Sequence, residues 1–296
     1  MNLLVTGAWK CTESDIAYIE RLGYNVYFVQ NESDELPLAY ECIDAVICNG
    51  LFVYHDIRKF THLRLIQLTS AGFDRVPMEY IEANNIVVYN AKGVYSIPMA
   101  EFVLSGVLQL YKQSRFFVEN QKLHKWNKHR ELLELNGRSV CVIGCGSVGT
   151  ECAKRFAAFG CKVVGVDQNS FVSEVFDEIV SINRLDDVLA LADVVVLCLP
   201  FTNSTHHLIG YDQLNRIKDG SILVNVARGQ VLDYEALVKC MPRLGGAVLD
   251  VFEYEPLSVD SPLWDMENVV ITPHNSFVGD GNDDRLRSVI YKNLQI

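Results

Sequence analysis

The sequence has no apolar run of membrane-span length, which excludes a transmembrane helix. Its first residues, Met1-Asn-Leu-Leu-Val-Thr-Gly7, hold no basic segment followed by a cleavage site, so no secretory leader is expected and the stretch reads directly as a strand. A basic surface is also missing. The formal net charge is −11, which sets the chain against nucleic-acid phosphates. Its densest cationic stretch, with Lys122, Lys125, Lys128 and Arg130, reads as a solvated face. The nine cysteines contain no C-x-x-C pair, and neither a zinc spacing nor an EF-hand loop occurs. His206 and His207 are adjacent, a spacing that points to a turn after a strand, so no metal is expected. Cys48, Cys141, Cys161 and Cys198 lie inside apolar runs and read as small hydrophobes in a reducing compartment, the cytoplasm. Cys145 precedes a helix, where a thiol pKa can fall; a packing or backbone role is expected over a redox one. There is no internal repeat and no low-complexity tract.

What remains is a chain of 296 residues, 49% hydrophobic and 21% charged, enough for two domains with sizeable cores. One stretch organises it. Val140 to Ile143 reads as a buried strand, followed by Gly144, Gly146 and Gly149 at G-x-G-x-x-G spacing. A helical pattern covers 150–159, and Val163-Val-Gly-Val166 reads as a second strand ending on Asp167. The first glycine permits a tight turn, the second lets a pyrophosphate approach the backbone, and the third lets the helix pack on the strand. The phosphates would meet N–H groups at the positive end of a helix dipole. Asp167 lies 167 − 149 = 18 residues past the last glycine, placed to bond the adenosine ribose hydroxyls and to repel a 2′-phosphate. The pattern predicts NAD rather than NADP.

The first ninety residues alternate strand and helix signals: strands at 3–6, 25–29, 45–48, 63–68 and 86–89, and helices at 13–22, 36–43, 56–60 and 77–83. Such alternation predicts a parallel sheet covered on both faces. This lobe has no dinucleotide fingerprint and is expected to hold substrate. A long helix is predicted over 96–113, with Met99, Val103, Val107 and Leu110 on one face, followed by a polar loop over 121–135. Further strands are predicted at 193–199, 221–225, 246–249 and 269–272, and a final helix at 284–294 packing back on the first lobe. The expected fold is α/β, with two doubly wound parallel-sheet lobes: a flavodoxin-like substrate lobe from 1–92 plus 277–296, and a Rossmann lobe from 93–276. Ligands in such sheets bind beyond the carboxyl ends of the strands, which draws attention to Asp167, Pro200, Arg228, Asp250 and His274.

Four motifs in order, Gly144-Cys-Gly-Ser-Val-Gly149 with Asp167, Asn225-Val-Ala-Arg-Gly229, Leu249-Asp-Val-Phe-Glu-Tyr-Glu-Pro256 and Thr272-Pro-His274, resemble the D-isomer-specific 2-hydroxyacid dehydrogenase family over nearly the whole chain. The resemblance implies hydride transfer between NAD(H) and a 2-oxo or 2-hydroxy acid, with Arg228 holding the substrate carboxylate and His274 as acid or base. Glu253 and Glu255 both sit in one acidic loop; the family's dyad acid lies five residues past the aspartate, which selects Glu255. The resemblance places Ser147 and Val148 at the pyrophosphate, Leu199 and Pro200 on the adenosine side, and Val226 and Ala227 near the nicotinamide ribose and amide. Asp250 would bond the carboxamide, and His274, Asn275, Ser276 and Phe277 would close over the ring. Ser70, Ala71 and Gly72 resemble the family's turn that binds the substrate carboxylate. The resemblance further implies an active site in the cleft between lobes, and a homodimer through 96–135.

Two places depart from common members. Asn275-Ser276-Phe277 replaces small apolar residues, and Thr69 stands where a phosphate-binding arginine is expected. With the chain ending soon after Leu294, a regulatory domain is not expected. The open alternatives are a short D-3-phosphoglycerate dehydrogenase, with Arg75 and Lys92 as candidate phosphate ligands, and an NAD(H)-sensing binding protein, which an exposed peptide groove would favour. Another Rossmann enzyme, such as an alcohol dehydrogenase, would need a zinc set or a Tyr-x-x-x-Lys pair.

Overall fold

A computed structural model describes residues 1–295. Backbone contacts divide them into two compact units, Met1–Tyr95 with the segment from Gly279 onward, and Ser96–Val278. The first unit holds strands β1 (Asn2–Thr6), β2 (Asn25–Val29), β3 (Ala45–Cys48), β4 (Leu65–Leu68) and β5 (Val87–Tyr89), all parallel, in the order β2-β1-β3-β4-β5. The second holds β6 (Ser139–Ile143), β7 (Lys162–Asp167), β8 (Glu178–Ser181), β9 (Val194–Leu197), β10 (Ile222–Asn225), β11 (Gly246–Leu249) and β12 (Val269–Ile271). These too are parallel, in the order β12-β11-β10-β9-β6-β7-β8. The first order is the flavodoxin-like arrangement, and the second is the Rossmann arrangement with one added edge strand.

The burial pattern explains the parallel sheets. Side chains alternate faces along a strand, and here both faces are buried. In β6, Cys141 and Ile143 join one core and Val140 and Val142 the other; in β9, Val195 and Leu197 oppose Val194 and Val196 in the same way. Each fully buried aliphatic side chain contributes about 1.5–3 kcal/mol. Helix Ser96–Tyr111 packs on this sheet so closely that a Cβ on Gly106 would sit 2.6 Å from Val248 Cγ1. Its fully buried stripe is Ala100, Val103, Val107 and Tyr111, with Met99 and Leu110 only partly covered.

Three expectations need correction. Residues 36–43 form only a short 3₁₀ turn, Tyr40–Cys42, with no side-chain cap at Ala39. The polar 121–135 stretch is shortened at its start by a second helix, Ser114–Lys122, reached through a left-handed Gln113 (φ 51°). The helix after the fingerprint begins at Ser147 rather than 150, which places Gly149 inside its first turn. Helix Leu51–Tyr54, the edge strand β8 and the helices Leu185–Leu189, Tyr211–Arg216 and Tyr234–Cys240 carry no strong period of their own. No described helix is long and apolar enough to cross a membrane.

The final helix, Asn282–Leu294, returns to the first unit. Leu286, Ile290 and Leu294 enter its core, and a buried carboxylate fixes the contact. Asp15 closes the capping box of helix Glu13–Arg21 with Thr12, and its Oδ1 accepts from Arg287 Nε at 2.7 Å and Tyr291 Oη at 2.6 Å. Burial alone would raise the Asp15 pKa, but hydrogen bonds from Thr12, Tyr291 and Arg287 outweigh it and hold it below the usual range. A depressed carboxylate adds stability that is complete above its unfolded pKa of about 3.9 and is lost as pH falls through the folded value. Arg287→Met is therefore expected to cost about 1–3 kcal/mol in urea unfolding at neutral pH, with a smaller cost once acid protonates Asp15. An equal cost at both pH values would contradict this assignment.

Candidate active site

The two sheets treat their switch points differently. In the first, the loops after β1 and β3 meet a carboxylate of the chain itself: Glu32 accepts from Thr6 Oγ1 at 2.9 Å, Asn49 N at 2.6 Å and Gly50 N at 2.6 Å. A Cβ on Gly7 would strike Gln30 O at 2.3 Å. The crevice where a nucleotide phosphate would sit is occupied by protein.

In the second sheet the switch point lies between β6 and β9 and is lined by the glycine turn. Gly144 has φ +94°, and a Cβ there would lie 2.8 Å from Cys198 C and Leu199 N. A Cβ on Gly149 would meet Gly144 O at 2.0 Å. Around Gly146 nothing stands within 4 Å, and no side chain caps the helix that begins at Ser147 and Val148. Protein contacts thus require two of the three glycines, while the third faces open space at a helix N-terminus. Asp167, the last residue of β7, accepts from Cys145 N at 2.8 Å and Gln168 N at 2.8 Å, which fixes the carboxylate beside the turn. Leu199 is buried and Pro200 exposed just beyond β9.

The other candidate groups follow β10, β11 and β12. Val226 and Ala227 are buried; Ala227 N donates to Asn225 Oδ1 at 3.1 Å, and Ala227 O accepts from Arg228 Nη1 at 2.8 Å. Beyond β11, Glu255 Oε1 accepts from Phe252 N at 3.0 Å, and Oε2 lies 2.9 Å from His274 Nδ1. Residue 274 has φ +51°, a left-handed conformation that is uncommon for histidine. Its N–H donates to Asp250 O at 2.7 Å and Thr272 O at 3.1 Å. Phe277 meets the imidazole edge-on, with ring centroids 6.0 Å apart. The structure thus joins Glu255 and His274 in a dyad, and it places Arg228 in the same unit on the loop after β10.

Residues 104–276 match the family described as D-isomer specific 2-hydroxyacid dehydrogenase, NAD binding domain. The chain belongs to that family. It is 31% identical over 242 residues to a glyoxylate reductase of Korarchaeum cryptofilum, covering 78% of this chain and 72% of the relative. It is 33% identical over 236 residues to a D-3-phosphoglycerate dehydrogenase of Methanocaldococcus jannaschii, covering 77% of this chain and 44% of the relative. The match thus spans under half the length of that second protein. A crystal structure of a D-isomer specific 2-hydroxyacid dehydrogenase family protein from Aeromonas salmonicida is similar at a TM-score of 0.82 and 32% identity, covering 99% of this chain and 94% of that one.

The residues present fit the family's cofactor, NAD. Gly146 leaves a cradle that a side chain would fill, the helix N-terminus beside it offers N–H groups, and Asp167 sets a carboxylate beside the same turn. Cys145 serves this turn through its backbone N–H. Its thiol behaves contrary to the lowering expected at a helix start: burial, reinforced by the Asp167 charge, pushes it up to about 12.

Asp250 finds partners within the chain. It is fully buried, and its carboxylate accepts from Thr272 Oγ1 at 2.6 Å and Asn275 N at 2.7 Å on Oδ1, and from Ser276 N at 3.0 Å on Oδ2. Its visible work is to hold the turn that carries His274. Asn225 and Tyr234 were not singled out from sequence. Asn225 Nδ2 donates to Arg228 O at 3.3 Å and to Tyr234 Oη at 3.2 Å, and Tyr234 Oη in turn donates to Val251 O. Asn225 stands at the head of the arginine motif, a signal that was present; Tyr234 reaches the site only through the fold. In the first unit, Ser70, Ala71 and Gly72 follow β4 as a tied turn, with Ser70 Oγ bonded to Gly72 O at 3.0 Å and Asn90 Nδ2 to Ala71 O at 2.6 Å.

The glycines give a paired test. Gly144→Ala is expected to destabilise the chain by at least about 1 kcal/mol, through left-handed strain and contact with the Cys198–Leu199 backbone just beyond β9. Gly146→Ala should leave thermal stability within about 0.5 kcal/mol and weaken NADH binding. Equal melting losses in the two variants would contradict the assignment of Gly146 to the cofactor.

Proposed function

We propose that the protein reduces a small 2-oxo acid to its D-2-hydroxy acid with NADH, and runs the reverse oxidation with NAD. The observation that carries this reading is the Glu255–His274 contact at 2.9 Å, beyond the strand ends of the sheet that bears the dinucleotide turn. NADH, when bound, supplies the hydride for the carbonyl carbon. The protein's part is position and proton transfer. Glu255 takes the Nδ1 side of His274, which leaves Nε2 to give its proton to the oxygen that becomes the hydroxyl. Arg228 pairs its guanidinium fork with the substrate carboxylate. Asp250 is a positioning residue: it sets the backbone of residues 274–276 and reaches the substrate only through His274.

A small, unphosphorylated acid of the glyoxylate or hydroxypyruvate type is favoured. Thr69 offers no charge to a phosphate, which counts against 3-phosphoglycerate, although one similar protein bears that activity's name. The carboxylate of Asp167 supports NADH over NADPH. Homodimer formation through 96–135 belongs to this reading. Leu123 and Trp126 there are 62% and 95% exposed, more apolar surface than a solvated loop needs.

The test is NADH oxidation followed by absorbance across a panel of 2-oxo acids, with 3-phosphohydroxypyruvate included and NADPH run in parallel. Turnover with an unphosphorylated acid and NADH is expected, and His274→Ala should lower it roughly 10²- to 10⁴-fold while NADH still binds. Tight NADH binding with no turnover on any acid would replace the enzyme by a sensor of NAD(H).

A further inference from the structure

Outside the dyad, three ligating side chains of the second unit converge. His206 and His207 lie in the turn beyond β9, and Glu253 comes from the loop beyond β11. One ligand atom from each lies within 4.8 Å of the other two. The two imidazoles stack with centroids 4.1 Å apart and 19° between their planes. His207 Nε2 is buried and makes no hydrogen bond, although Glu253 Oε1 stands 3.5 Å away. A buried ring nitrogen left in this state costs about 1–3 kcal/mol, and a cation seated between it and the carboxylate would satisfy both.

Two of the three donors sit on fixed backbone. His207 N donates to Gln230 O at 2.8 Å, and Ile209 bridges Leu232 just beyond. On the other side the 252–253 peptide presses on Gly229, where a Cβ would lie 2.0 Å from Phe252 O. His206 is exposed and can rotate about its side-chain bonds. A tetrahedral ion about 2.0–2.2 Å from each donor needs donors about 3.3 Å apart, a separation within reach of modest rotations of His206 and Glu253.

We infer that His206, His207 and Glu253 form a binding site for a divalent transition-metal ion of the zinc class, with water completing the coordination. Two imidazoles and one carboxylate select zinc and its neighbours over magnesium or calcium, which prefer all-oxygen sets. The site uses neither Glu255 nor His274 and does not depend on the proposed reaction. An ion there would tie the 201–207 turn to the loop that carries Glu255 two residues further on. No sequence spacing announces the set, because its third ligand comes from a different loop.

The experiment uses the full chain, stripped with a chelator and titrated with Zn²⁺ by calorimetry, with Co²⁺ absorption reporting the ligand type. One ion per chain is expected, with affinity lowered roughly tenfold or more in each of His206→Ala, His207→Ala and Glu253→Gln. Affinity should be unchanged in His274→Ala and in Cys42→Ser, which removes the exposed thiol. The Co²⁺ spectrum should lack a thiolate charge-transfer band. NADH binding by each variant shows that its fold is intact, and His206→Ala alters only an exposed side chain. Absence of binding by the unaltered chain would overturn the inference. So would unchanged affinity in all three ligand variants, a thiolate band, or loss of binding in His274→Ala or Cys42→Ser.

Discussion

A carboxylate removed from water must find donors, and Asp250 finds three in the turn that carries His274. Thr272 Oγ1, Asn275 N and Ser276 N converge on its two oxygens, while its own carbonyl accepts from His274 N. That requirement forces the chain to double back after β12, and the left-handed backbone at residue 274 follows from it. Such a conformation costs about 1–3 kcal/mol and persists only where surrounding bonds over-determine it, as they do here. The same geometry brings Nδ1 to Glu255, whose second oxygen is held by Phe252 N. The contact between Glu255 and His274 therefore rests on a network anchored just beyond β11, not on those two side chains alone.

The chain contains two doubly wound sheets, and local chemistry makes them unequal. At the first switch point Glu32 places a negative charge among the backbone N–H groups of Asn49 and Gly50, so an anionic phosphate finds the position taken. At the second, Gly146 leaves open space before an uncapped helix. Topology supplies a crevice in both sheets, and single side chains decide which one receives a dinucleotide.

The strands and the glycine turn were legible because strand burial and phosphate approach both impose short sequence periods. The segment 36–43 misled because its apolar spacing is helical, while no side chain caps the short turn that forms there. The edge strand β8 and helices such as Tyr234–Cys240 are held by tertiary contacts, and their sequences alone do not announce them. At the site, Arg228, Glu255 and His274 stood out as motif members. The internal engagement of Asp250, the reach of Tyr234 to Val251 O and the meeting of Glu253 with His207 did not, since each joins loops distant in sequence.

On the proposed reading, Asp250 acts on the reaction by holding the His274 turn. The most direct measurement is kcat for 2-oxo acid reduction in Asp250→Asn, with the Kd for NADH determined on the same preparation. The amide leaves one buried N–H of the turn without an acceptor, so kcat should fall by roughly 10²-fold or more, with NADH affinity within a few-fold of the unaltered chain. A large loss of NADH affinity with kcat preserved would contradict the account and place Asp250 on the cofactor instead.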